Sequence, residues 1–226
     1  MNKPQTKPIQ AFIFDLDGVI VDTAKYHYTA WKNIANELGF DFTPSDNERL
    51  KGVSRMQSLE ILLSIGSLSL SGKEKEHVAH RKNEQYKALI SNITPNEILP
   101  GAKDFIEHAR TRGIATALGS ASKNAMPILN SLRITNLFDA IIDGNSVEKT
   151  KPAPDVFLKA AEALNIPPQN CIVFEDAEAG IEAAINAGMR SVGIGNPTIL
   201  NKANFVVEGL GDIDFETLKQ KLCCDN

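Results

Sequence analysis

Short apolar runs alternate with helical segments along most of the chain. The strand-sized runs lie at residues 11–14, 114–118, 140–142, 171–174 and 191–194. Helical spacing is found at 23–38, 102–110, 125–132, 154–164 and 180–187. Strands that are buried on both faces read as nearly continuous apolar runs, and helices connect them in a parallel sheet. The pattern therefore predicts an α/β fold with a parallel sheet, and we expect the run at 11–14 to lie at its centre.

The segment between residues 41 and 92 interrupts this alternation. It lacks strong strand runs and has helical spacing at 56–65 and 73–89. Such a segment predicts a helical insertion that covers the sheet as a lid. We expect a core domain of residues 1–21 and 93–226 and an α-helical cap domain of residues 22–92.

Charge and hydropathy restrict the classes of partner. The 226 residues include 24 Lys and Arg and 28 Asp and Glu, a net charge of -4, so no basic surface for nucleic acid is expected. No apolar run approaches the roughly 20 residues that span a bilayer, and the first ten residues do not read as a secretory signal. We expect a cytoplasmic, monomeric protein with small-molecule ligands and neither nucleic-acid nor membrane partners.

The three cysteines do not form a metal-binding motif. Cys171 lies in an apolar run, and Cys223 and Cys224 lie near the C terminus. An odd count without metal-type spacing predicts free thiols in a reducing compartment. The segment at 210–226 predicts one more short helix, and we assign no function to it.

Polar side chains follow four of the predicted strands, at the edge where open α/β sheets bind ligands. In chain order they are Asp15 and Asp17, then Ser120, Ala121 and Ser122, then Lys149 and Lys151, then Glu175 and Asp176. Carboxylates of Asp15, Glu175 and Asp176 would repel one another in a cleft unless a divalent cation neutralised them, and oxygen ligands suit Mg²⁺. The sequence therefore predicts a site for a metal ion and a phosphate group.

These residue types suit phosphoryl transfer. A cation would let an anionic carboxylate approach a phosphate, while Ser120 and Lys151 stabilise charge on the transferring oxygens. Asp17 could exchange a proton with a substrate hydroxyl. Each residue alone has a plainer explanation, since Ser120 could cap a helix and Glu175 could be an acid at a helix start. Their order on successive strand ends favours the functional interpretation.

Four segments together resemble the signature motifs of the haloacid dehalogenase superfamily. They are FIFDLDGV at 12–19, ALGS at 117–120, KP at 151–152 and VFEDA at 173–177. The resemblance covers nearly the whole chain and implies a Rossmann-like core, a helical cap inserted after the first motif, an aspartyl-phosphate at Asp15 and Mg²⁺ as cofactor. It also implies metal ligation by Asp15, Glu175, Asp176 and the backbone carbonyl of Asp17, with the Asp17 side chain as general acid and base.

The cap is similar to that of superfamily members that isomerise hexose phosphates. The similarity lies in LKGVSR at 50–55, in RKNEQY at 81–86, and in Thr23, His27 and Trp31 of the first helix. It implies that Arg55 binds the phosphate distal to the nucleophile, that Lys51 and His27 orient Asp17 and the sugar hydroxyls, and that Gly52 allows close backbone approach. The remaining substrate-binding residues that it implies are Thr23, Trp31, Lys82, Ser120, Ala121, Ser122, Lys123, Asn124 and Lys151. Without the resemblance, Lys51 and Arg55 could form a solvated basic face, and His27 could be a packed helix residue.

The implied reaction interconverts β-glucose 1-phosphate and glucose 6-phosphate through an aspartyl-phosphate and a β-glucose 1,6-bisphosphate intermediate. Its expected partners are therefore a hexose phosphate and a hexose bisphosphate. The first alternative is an Mg²⁺-dependent sugar-phosphate phosphatase, which would differ only in what attacks phospho-Asp15. The second is a non-catalytic phosphosugar-binding protein, against which the intact nucleophile argues.

Overall fold

A six-stranded parallel sheet forms the centre of the protein in the computed structural model, which describes residues 8–223. Its strands are β1 (Ala11–Phe14), β2 (Ala115–Gly119), β3 (Ala140–Ile142), β4 (Cys171–Glu175), β5 (Arg190–Ile194) and β6 (Phe205–Val207). The strand order is β3-β2-β1-β4-β5-β6, and every neighbouring pair is parallel. The predicted parallel α/β sheet is therefore confirmed, with β1 between β2 and β4 as expected.

Nine α-helices of the described chain lie between or after these strands. They are α1 (Ala24–Glu37), α2 (Pro44–Glu48), α3 (Arg55–Ile65), α4 (Gly72–Ile90), α5 (Ala102–Thr111), α6 (Ala125–Leu132), α7 (Asp155–Ala163), α8 (Glu178–Asn186) and α9 (Phe215–Cys223). The sequence prediction missed α2 and β6. Helix α2 has only five polar-rich residues, held by a capping box between Thr43 and Asp46, and β6 is a three-residue, half-buried strand at the sheet edge.

Alternation along β1 explains why both faces of the sheet are covered. All four residues of β1 are fully buried, and successive side chains point to opposite faces. Phe12 and Phe14 belong to one apolar cluster, where they meet Phe105 of α5 and Phe174 of β4. Ile13 belongs to the cluster on the other face, which includes residues of α7 and α8. Burial on both sides places the carboxyl end of β1 in the interior of the molecule.

Helices α1, α3 and α4 form a layer with its own apolar cluster. Trp31 and Ile34 of α1 pack there with Leu59 and Leu62 of α3 and with Val78 of α4. This cluster is separate from the two that cover the sheet. The helical insertion therefore has the internal packing that a cap requires.

The remaining sequence predictions concern the cysteines, the tail and the membrane. Cys171 is a buried free thiol, and burial raises its pKa to about 11. Cys224 and residues 1–7 lie outside the described residues, and α9 supplies the helix that was expected near the C terminus. Across residues 8–223, no helix combines the length and the apolar character that crossing a membrane would need.

Candidate active site

Three carboxylates meet where strands β1 and β4 end. Asp15 follows β1 directly, Glu175 ends β4, and Asp176 comes next. The two strands pair in parallel, and the amide of Asp15 donates a hydrogen bond to the carbonyl of Phe174 at 2.9 Å. One carboxylate oxygen from each of the three acids lies within 4.8 Å of the others. Adjacent strand ends thus bring together the residues that the sequence places 160 positions apart.

A buried lysine partly balances this charge. Lys151 is fully buried, and its Nζ lies 2.5 Å from Asp15 Oδ1 and 2.8 Å from Glu175 Oε2. Burial alone would lower the pKa of Lys151, but the charges of Asp15 and Glu175 outweigh it and hold that pKa above its usual value. The ammonium is therefore a fixed positive charge beside Asp15.

The carboxylates still carry more negative charge than one ammonium can neutralise. Burial, and then repulsion from Glu175 and Asp15, raises the pKa of Asp176 well above its usual range. Burial also raises the pKa of Glu175 to about 7, although Lys151 opposes it. A divalent cation with oxygen ligands would relieve this repulsion. The donor set therefore fits a hard divalent metal ion.

Asp17 lies at the same edge with its side chain held by the cap. Its amide donates to Asp15 Oδ2 at 3.0 Å, and its Oδ1 accepts a hydrogen bond from the hydroxyl of Thr23. Burial, and then the charge of Asp15, raises the pKa of Asp17 to about 6. A carboxyl group with a pKa near the working pH can both take and give a proton.

Gly18 allows Asp176 to approach the turn that follows Asp15. Its φ is +83°, and a Cβ at this position would lie 2.1 Å from Asp176 Oδ2. A side chain would therefore displace one of the three clustered carboxylates.

A cavity of about 530 Å³ separates this edge of the sheet from the helical layer. Most of the site residues predicted from the sequence line it: Asp15, Asp17, His27, Trp31, Lys51, Gly52, Arg55, Lys82, Ala121, Ser122, Lys123, Asn124 and Asp176. Four others are buried and are not among the lining residues: Thr23, Ser120, Lys151 and Glu175. Residues from both halves of the sequence thus surround one space of the size that ligand pockets have.

Cationic and amide groups line the cavity from both sides. Arg55 is the first residue of α3, after the N-cap Ser54. Ser122, Lys123 and Asn124 form the loop that leads into α6, and Asn124 Nδ2 donates to Asn83 Oδ1 of α4 at 3.1 Å. These groups can bind a phosphate, because a guanidinium and neighbouring amides supply several donors.

The cap backbone comes close to the core at Gly52. Its φ is +71°, and a Cβ there would lie 2.9 Å from the Cβ of Ala177. The neighbouring Lys51 Nζ lies 3.8 Å from Asp176 Oδ2 and 3.0 Å from Glu48. Lys51 therefore contacts Asp176 in this structure, whereas the hydrogen bond to Asp17 comes from Thr23.

Lys82 and His27 form a buried pair on the cap side. Lys82 Nζ lies 2.8 Å from His27 Nδ1 and is 4.9 Å from the ring centre of Trp31. Burial, and then the charge of Arg55, lowers the pKa of Lys82 to about 7. Burial, Lys82 and Arg55 hold the pKa of His27 well below its usual value. A neutral imidazole can accept the hydrogen bond that Lys82 offers.

Asn83 and Tyr86 also line the cavity, although sequence reasoning singled out only Lys82 in their helix. Both lie within one helical turn of Lys82, and the spacing from 82 to 86 places Tyr86 on the same face. The four-residue spacing from Lys82 could therefore have indicated Tyr86 as a cavity residue from the sequence.

These features together define a class of phosphoryl-transfer enzymes. Carboxylates follow β1 and β4 of a parallel α/β sheet, a buried lysine lies beside them, and a helical layer covers the cavity. The family model for haloacid dehalogenase-like hydrolases matches residues 9–188, and the chain belongs to this family. The family prediction is therefore confirmed.

Individual relatives cover both the sheet and the helical layer. A β-phosphoglucomutase from Bacillus subtilis is 44% identical over 94% of this chain and 95% of its own. The crystal structure of a β-phosphoglucomutase from Clostridium difficile has a TM-score of 0.90 and 48% identity, and the match covers 95% of this chain and 97% of that one. A fructose-1-phosphate phosphatase from Escherichia coli is 32% identical over 80% of this chain and 94% of its own.

Proposed function

We propose that this protein is a β-phosphoglucomutase, an isomerase that interconverts β-D-glucose 1-phosphate and D-glucose 6-phosphate. The observation that carries the proposal is the similarity to β-phosphoglucomutases at 44% and 48% identity, because it covers nearly the whole of each chain, cap included. The cap sets what can reach a phospho-enzyme, so similarity there bears on the choice between mutase and phosphatase.

The two alternatives receive less support. A sugar-phosphate phosphatase would use the same core, but the E. coli phosphatase is similar at only 32% identity. A non-catalytic phosphosugar-binding protein would not need Asp15 with Lys151 at 2.5 Å from its carboxylate.

Mg²⁺ is the cofactor that we propose for the carboxylate cluster. Asp15, Glu175, Asp176 and the backbone carbonyl of Asp17 would hold it. When bound, Mg²⁺ supplies charge neutralisation for the carboxylates and the phosphate. The cluster of three acids and the raised pKa values of Glu175 and Asp176 support this assignment.

The reaction uses Asp15 as nucleophile and Asp17 as acid and base. Phospho-Asp15 transfers its phosphoryl group to the 6-hydroxyl of β-glucose 1-phosphate, and Asp17 takes the proton of that hydroxyl. The β-glucose 1,6-bisphosphate then reorients in the cavity. Asp15 attacks the phosphate on C1, and Asp17 returns the proton to the departing sugar oxygen. Lys151 and Ser120 stabilise the transferring oxygens.

The remaining cavity residues bind and enclose the sugar. Arg55, with Ser122, Lys123 and Asn124, binds the phosphate that is not reacting. The other residues assigned to the sugar and to closure are Thr23, His27, Trp31, Lys51, Gly52, Lys82 and Ala121. We propose that residues 22–92 act as the cap on a core of residues 1–21 and 93–226, and that closure excludes water from phospho-Asp15.

A coupled assay tests this function. Wild type, Asp15→Asn and the surface control Asp41→Asn are given β-glucose 1-phosphate, Mg²⁺ and a trace of the bisphosphate. We expect glucose 6-phosphate to form faster than free phosphate in wild type and the control, and neither product from Asp15→Asn. Phosphate release without isomerisation would instead establish a phosphatase.

A further inference from the structure

The loop after β3, residues 143–146, lies directly against the loop after β2. Strands β2 and β3 pair in parallel, and the amide of Ser120 continues this pairing by donating to the Ile142 carbonyl at 3.0 Å. One step further along, the amide of Gly144 donates to the Ser122 carbonyl at 3.1 Å. A Cβ on Gly144 would overlap the carbonyl oxygen of Ala121. The backbone contact between these two segments therefore extends past the strand ends and into the loops.

Asn145 adds a side-chain bond to the same contact. Its Nδ2 donates to the carbonyl of Lys123 at 3.1 Å and to Oδ2 of Asp143 at 2.9 Å, one acceptor for each hydrogen of the side-chain amide. Asp143 is buried, and its Oδ1 accepts from the backbone amide of Asn145 at 2.9 Å. Asp143 thus holds Asn145 at two points while the side chain of Asn145 binds the neighbouring loop.

The neighbouring loop is the one to which the proposed function assigns the phosphate that is not reacting. Ser122, Lys123 and Asn124 line the cavity, whereas Asn145 is not among the lining residues. A loop that binds an anion must present donors to it, because a carbonyl oxygen in the same place would repel the phosphate. Donors of the loop after β3 occupy the carbonyls of Ser122 and Lys123. Both carbonyls are thereby turned towards that loop, which leaves the side-chain donors for the phosphate.

We propose that Asn145 is a positioning residue for the non-reacting phosphate, and that it acts by fixing the loop at 122–124 through the Lys123 carbonyl. The reacting phosphate is assigned to a different set of residues, Asp15, Ser120 and Lys151. Asn145 should therefore affect the binding of the sugar phosphate and not the transfer of the phosphoryl group. This inference rests on the proposed mutase function.

Two phosphoryl donors separate the two phosphate positions. β-Glucose 1-phosphate meets phospho-Asp15 with its own phosphate in the non-reacting position. Acetyl phosphate carries a single phosphoryl group: Asp15 attacks its phosphorus, acetate leaves, and water then releases inorganic phosphate from phospho-Asp15 and restores the carboxylate. Phosphate release from acetyl phosphate therefore depends on the reacting position alone.

The variants remove the side-chain donor in two ways. Asn145→Leu keeps the approximate size of the side chain, and Asn145→Ala removes its volume as well. Asn201→Leu is the matched control, because Nδ2 of this exposed asparagine also donates to a backbone carbonyl, that of Thr198, at 3.0 Å. Each protein is assayed for glucose 6-phosphate formation over a range of β-glucose 1-phosphate, with Mg²⁺ and saturating bisphosphate, and for phosphate release from acetyl phosphate.

We expect both Asn145 variants to raise the KM for β-glucose 1-phosphate about threefold to tenfold, which is the value of one hydrogen bond. The kcat should change by less than about twofold, because binding that is equal in the substrate and the transition state appears in KM alone. Phosphate release from acetyl phosphate should match wild type in both variants. The control should match wild type in both assays.

A wild-type KM in either Asn145 variant would overturn the proposal. A fall in acetyl phosphate turnover as large as the rise in KM would overturn it too, because the effect would then lie at Asp15 or in the fold as a whole. If wild type and Asn201→Leu form no glucose 6-phosphate, the proposed function itself fails, and this inference fails with it.

Discussion

The hydroxyl of Thr150 donates a hydrogen bond to Oε1 of Gln57 at 3.0 Å. Thr150 immediately precedes Lys151, and Gln57 lies in the first turn of α3, which begins with Arg55. Gln57 also accepts from the amide of Ser54, so the same oxygen serves the helix cap and the contact with the core. This bond joins the loop of the buried lysine to the helix that presents the guanidinium.

The Thr150→Val variant should open the cap more readily. The loss of one exposed hydrogen bond is worth about 0.5–1.5 kcal/mol, so we expect phosphate release to rise about twofold to tenfold relative to glucose 6-phosphate formation. The ratio of the two products, measured side by side, checks this. Thr111→Val, which loses a bond to the carbonyl of His108 at the end of α5, should keep the wild-type ratio. An unchanged ratio in Thr150→Val would show that this bond does not hold the cap.

Gly52→Ala should impair closure as well as stability. An alanine at this position would have to adopt the φ of +71°, and its Cβ would lie 2.9 Å from the Cβ of Ala177. The left-handed backbone costs roughly 1–2 kcal/mol, and the clash adds a barrier to bringing the cap onto the core. We expect a loss of free energy of unfolding together with at least a tenfold fall in kcat/KM.

Gly39→Ala separates these two effects. Gly39 has a φ of +90°, but a Cβ there would meet no atom within 4 Å. Gly39→Ala should therefore lose an amount of stability similar to that lost by Gly52→Ala, while keeping the wild-type kcat/KM. Denaturant unfolding and the coupled assay, applied to both variants, make the comparison. Equal activity losses in the two variants would attribute the effect to backbone strain alone.

Lys82→Met should stabilise the protein at acidic pH. Burial lowers the pKa of Lys82 to about 7 in the folded protein, whereas its ordinary pKa, which applies to the unfolded chain, is 10.5. Since the unfolded state then binds more protons, wild-type stability rises with pH across this window. We expect Lys82→Met to be more stable than wild type by about 1–3 kcal/mol at pH 6, and the difference should shrink as the pH rises from 7 towards 10.

Denaturant unfolding at several pH values measures this difference, and the KM for β-glucose 1-phosphate should rise in the same variant. Lys87→Met is the control on the same helix, because Lys87 forms an exposed pair with Glu84 at 2.9 Å. Such a pair contributes little, so its removal should leave the pH dependence of stability unchanged. A destabilised Lys82→Met at pH 6 would contradict the argument.

Mg²⁺ should stabilise the protein more at pH 8 than at pH 6. The pKa of Glu175 is raised to about 7 and that of Asp176 is also raised, so the metal-free folded state holds protons that the unfolded state has released. Stability from these groups therefore falls as the pH rises through about 7. A metal ion must displace the same protons, and it does so more easily when they have already left.

The quantity to measure is the increase in melting temperature that Mg²⁺ produces at each pH, because Lys82 changes the absolute stability in the opposite direction over the same range. Asp176→Asn should lose most of the increase at both pH values. An increase of equal size at pH 6 and pH 8 in wild type would contradict the assignment of these carboxylates as metal ligands.

Most strands and helices could be predicted because their signals are local. The run at 11–14 is apolar at every position, and β1 occupies the same four residues. Helix α2 and strand β6 were missed for the opposite reason: one is a short polar turn held by its cap, and the other is half-buried and three residues long. The capping box of α2 is local, but the helix is too short and too polar to show an apolar period, whereas β6 is held by its pairing with β5, which no local window contains.

The parallel sheet, the inserted helices and the set of acids and cations at the strand ends could be predicted from the sequence, because each follows from spacing along the chain and from the chemistry of the side chains. Which of these groups meet depends on the tertiary structure. Asp15, Glu175 and Lys151 come together because β1 and β4 pair side by side, and Thr23 rather than Lys51 contacts Asp17 because α1 starts above that edge. Contacts between distant segments depend on packing and on burial in a low-dielectric interior, and neither can be read from spacing along the chain.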